Sequence, residues 1–165
     1  MKKTWLDTQG REIIEELQTE VDELVLEMSH DSELFPEDTD RKAEFTAGNL
    51  ANTWSAWVEI QDDTAPTPIT LSSRITQLTH ISGFLIEDLS HKDKRYEFQI
   101  AHGDAKVRIT SHRFLTGDIV KKLAAIQFIR VRSEAIPAGE KVYYRMKCEQ
   151  ADATCEVSIR YHYHP

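Results

Sequence analysis

The stretch 141–163 alternates apolar and polar residues with the period of a β-strand, and this pattern constrains the fold more than any other feature. The apolar positions are Val142, Tyr144, Met146 and Cys148, followed by Cys155, Val157, Ile159 and Tyr161. A turn at Ala151-Asp152 predicts a hairpin that pairs Cys148 with Cys155. Since a slip of one residue would move every apolar side chain to the opposite face, the pattern predicts a single register.

Six further segments are rich in β-branched and aromatic residues and end at turn residues, which predicts strands. The predicted strands cover 54–60, 69–75, 81–88, 95–101, 105–111, 126–132, 141–148 and 155–163. A two-residue turn at Gly103-Asp104 would pair Ile100 with Val107 in a second hairpin. Eight short strands separated by turns favour a mainly β fold, an eight-stranded antiparallel β-sandwich of the jelly-roll type.

The segment Ala43–Ile60 has two interpretations. Alternation predicts a strand from Trp54, with Val58 on the same side. A helical stripe formed by Ala47, Leu50, Trp54 and Trp57 also fits, as the competing interpretation. Short apolar segments are compatible with both periods, so a strand and a second helix both stay open for this segment.

An acidic segment precedes the β-rich part of the chain. Of the 28 acidic residues, fourteen lie between Asp7 and Glu44, where there are three basic residues. Apolar residues recur there with helical spacing and predict an amphipathic α-helix over 7–29. Its stripe consists of Ile14, Leu17, Val21, Leu24 and Met28. The change in charge divides the chain into an acidic helical arm, 1–45, and an antiparallel β-sandwich domain, 46–165.

The arm either packs on its own domain or binds a neighbour. Its heptad spacing would permit a two-stranded coiled coil. However, Glu20 and Glu27 would find no cationic partner on an identical helix, so a basic groove on a different protein suits the arm better. The net charge of −8 argues against direct binding of nucleic acid. The stripe also makes a homo-oligomer a reasonable expectation.

No motif with a defined chemistry stands out, which predicts a non-enzymatic protein without a cofactor or metal. His162 and His164 could share a metal ion, but a polar strand face explains them better. Glu87, Asp88 and Asp93 lack the spacing of a calcium loop. There is no apolar run of about 18 residues that would cross a membrane and no secretory signal pattern, so folding in a cytoplasm is expected.

Two pairs of residues are candidate sites. Cys148 and Cys155 would face each other and are expected to be buried and reduced, because thiols in a cytoplasm stay reduced. Trp57 and Tyr143, together with Trp54, would stack on sugars if their rings were exposed. A carbohydrate-binding β-sandwich module is therefore the alternative function, and burial in the core is the ordinary explanation of such rings.

Several phrases of the sequence resemble structural proteins from tailed-bacteriophage virions. The phrases are Asn52–Asp62, Ile86–Lys94, Ile136–Lys147 and Arg160–His164, and the resemblance covers about residues 50–165 but not the arm. It implies a β-sandwich decoration, collar or tail component, present in several copies. Its expected partners are other virion proteins of the capsid, collar or tail, and its expected location after assembly is the virion.

Overall fold

The computed structural model describes residues 32–116 and 127–163, and this part of the chain is mainly β-structure without an α-helix. The nine strands are β1 (Glu33–Phe35), β2 (Ala43–Thr46), β3 (Val58–Glu59), β4 (Thr79–Leu89), β5 (Arg95–His102), β6 (Val107–Leu115), β7 (Gln127–Arg130), β8 (Val142–Cys148) and β9 (Thr154–Tyr163). One 3₁₀ turn, Leu71–Ser73, follows β3.

The strands form two antiparallel sheets. In the first sheet β1 and β2 both pair with one edge of β9, and β4 and then β7 follow on its other side. The order of the second sheet is β3-β8-β5-β6. The chain passes from one sheet to the other at most connections, and only β5 and β6 are consecutive neighbours in one sheet.

Aromatic side chains from both sheets meet in one hydrophobic core, so the arrangement is sandwich-like. Phe45 of the first sheet stacks on Tyr144 of the second with ring centroids 4.1 Å apart. Its edge also meets Phe98, at 5.8 Å, and Phe84 meets Phe98 at 5.6 Å. Phe45, Phe84 and Phe98 are fully buried, which places the core between the inner faces of the two sheets.

The predicted hairpin of 141–148 with 155–163 is wrong, although both strands exist. β8 lies in the second sheet and β9 in the first, so Cys148 is paired with Tyr96 and Cys155 with Leu89 and Phe45. The alternation of buried and less buried residues along both strands is as predicted. Alternation determines which face a side chain occupies, but not which strand lies beside it. Crossing between the sheets buries the same residues as a hairpin would.

The hairpin of β5 with β6 is confirmed, but its predicted register is wrong. The turn contains four residues, Gly103 to Lys106, and the Lys106 amide donates to the Gly103 carbonyl at 3.1 Å. Both residues have positive φ, +67° and +54°. His102 therefore pairs with Val107, and a bulge after Ile100 shifts the remaining pairs again. The bulge leaves Ile109 without a strand partner and places Thr110 opposite the buried Ile100, and a strict alternation of faces does not predict such an extra residue.

The predictions for the first half of the described chain need three corrections. Residues 69–75 contain the 3₁₀ turn instead of a strand, because Thr70 caps it by accepting from the Ser73 amide. Of the predicted strand 54–60 only Val58–Glu59 is extended and paired, and the alternative helix over 43–60 is absent. The strands β1 and β2 were not predicted, and all of their residues except Thr46 lie within the stretch 1–45 that was assigned to the arm. The predicted helix over 7–29 lies outside the described residues.

Candidate functional site

The outer face of the second sheet carries a cluster of charged and aromatic side chains. The core residues Tyr96, Phe98 and Ile100 fix the inward direction on β5, so the alternate residues point outward. The outward positions of β5, β6 and β8 include five cations: Arg95, Arg108, Arg113, Arg145 and Lys147. The same positions hold one anion, Glu97. We call this surface the cationic face.

The segment 52–57 brings two tryptophans onto the cationic face. It runs beside β8 without forming a regular strand. The Asn52 amide donates to the Cys148 carbonyl at 2.7 Å and the Ser55 amide to the Met146 carbonyl at 2.9 Å. The Met146 amide in turn donates to the Ser55 hydroxyl at 3.0 Å. These bonds hold the segment along β8, with Trp54 and Trp57 half-buried over the sheet.

Arg145 lies under both tryptophans. Its guanidinium carbon is 4.8 Å from the ring centroid of Trp54 and 4.7 Å from that of Trp57, within the range of cation–π attraction. The Nε and Nη2 atoms of Arg145 donate to the Gln99 side-chain oxygen at 2.9 and 2.7 Å. Gln99 is only 7% exposed, so the amide that orients Arg145 is covered. Lys147 Nζ also lies over the Trp54 ring, at 4.6 Å.

Glu97 joins two of the cations. It accepts from Arg113 Nε and Nη2 at 3.0 and 2.8 Å, and its oxygen is 3.1 Å from Lys147 Nζ. Burial alone would raise the pKa of Glu97. Hydrogen bonds from Arg113 and Lys147 outweigh burial and hold the pKa below its ordinary value. One carboxylate thus serves two cations, and the outward positions of β5, β6 and β8 keep a net positive charge.

Tyr143 lies at the other end of the cationic face, next to the edge strand β3. Lys106 Nζ is 3.3 Å from the centroid of its ring. Glu59, which pairs with Tyr143 across the strands, accepts from Ser72 at 2.7 Å and binds Lys141 Nζ at 2.9 Å. Burial opposes ionisation of Glu59, but these partners lower its pKa overall. Glu59 therefore offsets part of the positive charge at this end of the face.

A shallow depression of about 150 Å³ borders the cationic face between the start of β5 and the end of β8. Arg95, Arg113 and Lys147 line it together with Glu97 and Glu149. The Arg95 amide donates to the Glu149 carboxylate at 3.0 Å. With three cations and two carboxylates on its border, the depression keeps an excess of one positive charge.

The structure brings the predicted aromatic residues onto one face but not into an open platform. Trp57 and Tyr143 are half-buried, and one side of each ring is covered by a cation. Arg145 and Gln99 were not singled out by sequence reasoning. The signal was present, because alternation along β8 puts Tyr143, Arg145 and Lys147 on the same outward side. The arm interface residues Ile14, Leu17, Val21, Leu24 and Met28 lie outside the described residues.

The remaining candidates are placed elsewhere. Cys148 and Cys155 are both buried free thiols, and burial raises the pKa of each. His162 stacks on His80 of β4 with ring centroids 5.7 Å apart, and His164 is not among the described residues. Within residues 32–116 and 127–163, no group of three or more His, Cys, Asp or Glu side chains is arranged to hold a metal ion.

Comparison with known proteins finds no family model that matches the chain. A search of curated proteins likewise finds no significant match. Over the described ranges, no helix is long and apolar enough to cross a membrane.

Proposed function

We propose that this protein is a non-enzymatic structural component of a tailed-phage virion whose β-domain makes subunit contacts. The first support is topological. The two sheets, β2-β9-β4-β7 and β3-β8-β5-β6, have the strand order of a jelly roll, with β1 as an addition at the edge. Jelly rolls occur in viral capsid proteins and in lectins, and this order agrees with the resemblance of residues 50–165 to virion proteins.

The observation that carries the proposal is the cationic face. A chain with a net charge of −8 concentrates five cations on the outward positions of three neighbouring strands. Arg113 is 65% exposed, and Arg95 and Arg108 are exposed as well. Tryptophan and arginine are the residues that dominate protein interfaces. A rigid sheet that presents both is suited to binding an acidic protein surface in a particle.

In this proposal the acidic arm anchors each copy to a neighbouring virion protein. The experiment is to delete residues 1–31 in the phage and to measure the protein in purified particles by quantitative mass spectrometry. We expect incorporation to fall at least tenfold while the truncated chain keeps its β-sheet circular dichroism. Normal incorporation would refute the anchoring role. Absence of even the full-length protein from purified particles would refute the virion function.

Carbohydrate binding by the same face is the second candidate, because Trp54, Trp57 and Tyr143 share it. A sugar would have to stack on the ring side opposite the cation or displace the cation. A glycan array with the full-length chain and with Trp57→Ala tests this directly. Binding that is lost in the variant would place this function ahead of the structural one.

A further inference from the structure

We propose that the cationic face binds the acidic segment 7–29 of a second copy of this chain, which makes the protein self-assembling. The inference rests on the assembly function proposed above and names its partner. Segment 7–29 contains eight acidic residues and one basic residue, Arg11. The outward positions of β5, β6 and β8 have the opposite balance, five cations to one anion. Surfaces of opposite charge speed up association and favour the matching partner.

The cations that would receive the segment are accessible. Arg95 and Arg108 are exposed, and Arg113 is 65% exposed although it binds Glu97. The face also offers apolar contact, because Leu115 is 57% exposed beside Arg113 on β6. An acidic segment with the apolar stripe Ile14 to Met28 matches both properties of this surface.

A second copy is the occupant that the chain itself supplies. Glu20 and Glu27 would lack cationic partners in a coiled coil of identical helices, whereas the cationic face provides such partners. We therefore assign the segment to the cationic face of a second copy, on the basis of the opposite charges of the two.

The experiment measures self-association of the full-length chain by sedimentation equilibrium at low and high salt. We expect association at about 50 mM salt and a weakening of at least tenfold in Kd at about 500 mM, because exposed charges are screened over about 4 Å at that ionic strength. The variant Arg95→Glu with Arg108→Glu should weaken association at least tenfold. Neither side chain contacts Glu97, so the fold should survive, and circular dichroism checks this.

The reciprocal variant is Glu16→Lys with Glu20→Lys in the acidic segment, which should weaken association equally. Mixing this variant with Arg95→Glu/Arg108→Glu should restore association between unlike copies, because the reversed face then meets the reversed segment and the intact face meets the intact segment. Combining all four substitutions in one chain should restore association, since opposite charges then face each other again. The matched control, Lys92→Glu with Arg132→Glu, reverses two cations outside the face and should leave Kd within about twofold.

Two results would overturn the inference. A chain that is monomeric under all salt conditions shows that no second copy is bound. Association that is insensitive to Arg95→Glu/Arg108→Glu shows that copies meet through another surface. Neither result bears on incorporation into particles. If the monomeric chain still enters virions, the structural function stands and only the identity of its partner is wrong.

Discussion

At the scale of single residues, Glu97 is the charge on which the cationic face depends. Its side chain is 14% exposed and binds Arg113 and Lys147 together. We expect Glu97→Gln to lower the free energy of unfolding at pH 7 by about 1–3 kcal/mol, because two cations lose a charged acceptor. Glu134→Gln removes an exposed carboxylate from a loop and serves as the control, with an expected change within about 0.5 kcal/mol.

The pH dependence of the same variant gives a second prediction. Folding lowers the pKa of Glu97 from 4.5, since hydrogen bonds from Arg113 and Lys147 outweigh the effect of burial. A carboxylate of this kind stabilises the fold above its unfolded pKa, and the contribution disappears as the pH falls through the folded pKa. The difference in unfolding free energy between wild type and Glu97→Gln should therefore shrink below about pH 4. Urea titrations at pH 7, 5 and 3 measure it, and a difference that is constant over this range would contradict the prediction.

Phe45 tests how the two sheets are held together. It is fully buried on β2, stacks on Tyr144 and meets Phe98 edge-on. Phe45→Ala should lower the free energy of unfolding by about 3–5 kcal/mol, because it leaves a cavity between the sheets. Leu50→Ala removes a side chain that is 65% exposed and should change stability by less than about 0.5 kcal/mol. Thermal denaturation followed by circular dichroism compares the two, and equal melting temperatures would show that Phe45 does not bridge the sheets.

At the scale of elements, the segment that carries the two tryptophans depends on Gly48 for its position on β8. A Cβ atom at Gly48 would lie 2.5 Å from the Thr53 carbonyl oxygen, so Gly48→Ala must displace residues 48–53. We expect a loss of about 1–3 kcal/mol together with a shift in tryptophan fluorescence, because Trp54 and Trp57 move relative to Arg145. Gly139→Ala is the control. Its φ of +74° makes it costly by about 1–2 kcal/mol, but a Cβ there meets nothing within 4 Å.

The outcome for Gly48→Ala is therefore read from fluorescence and not from stability alone. A shift in emission that Gly48→Ala shows and Gly139→Ala does not is assigned to Trp54 and Trp57. An unshifted emission maximum in Gly48→Ala would show that hydrogen bonds to β8 alone hold the segment in place. The position of the segment would then not depend on Gly48.

The strands show which parts of the fold the sequence could predict. Six of the eight predicted strands exist. They could be predicted because alternation of faces, or apolar composition in the case of β7, is a local property of the chain. The strands are β4, β5, β6, β7, β8 and β9. The pairing of β8 with β9 was mispredicted, since partners are chosen by contacts between distant segments. β1 and β2 were missed because strands of three and four residues are too short for a period to appear. The cationic face was only partly visible in the sequence, because Gln99 meets Arg145 and Glu97 meets Lys147 only through the pairing of β5 with β8.

At the scale of the whole molecule, the boundary of the β-domain decides where the chain can be cut. Contacts divide the chain at residue 31, whereas the charge pattern placed the division at residue 45. β1 and β2 cover one edge of β9 and contribute the buried residues Phe35 and Phe45. Tyr161 also donates to Glu33 at 2.8 Å. A cut at residue 45 removes these contacts, but a cut at residue 31 keeps them.

Two fragments of the chain test this boundary. Fragment 32–165 should be soluble and unfold cooperatively with β-sheet circular dichroism, because both sheets and their shared core are retained. Fragment 46–165 loses Phe35 and Phe45, and each buried aromatic contributes about 3–5 kcal/mol. Since whole domains are stable by about 5–15 kcal/mol, this loss consumes most of the stability. Without β1 and β2 the edge of β9 is also exposed and can pair with another chain. We therefore expect this fragment to aggregate, which size-exclusion chromatography measures. A soluble fragment 46–165 that melts at the same temperature as 32–165 would mean that β1 and β2 are peripheral additions and that the core closes without them.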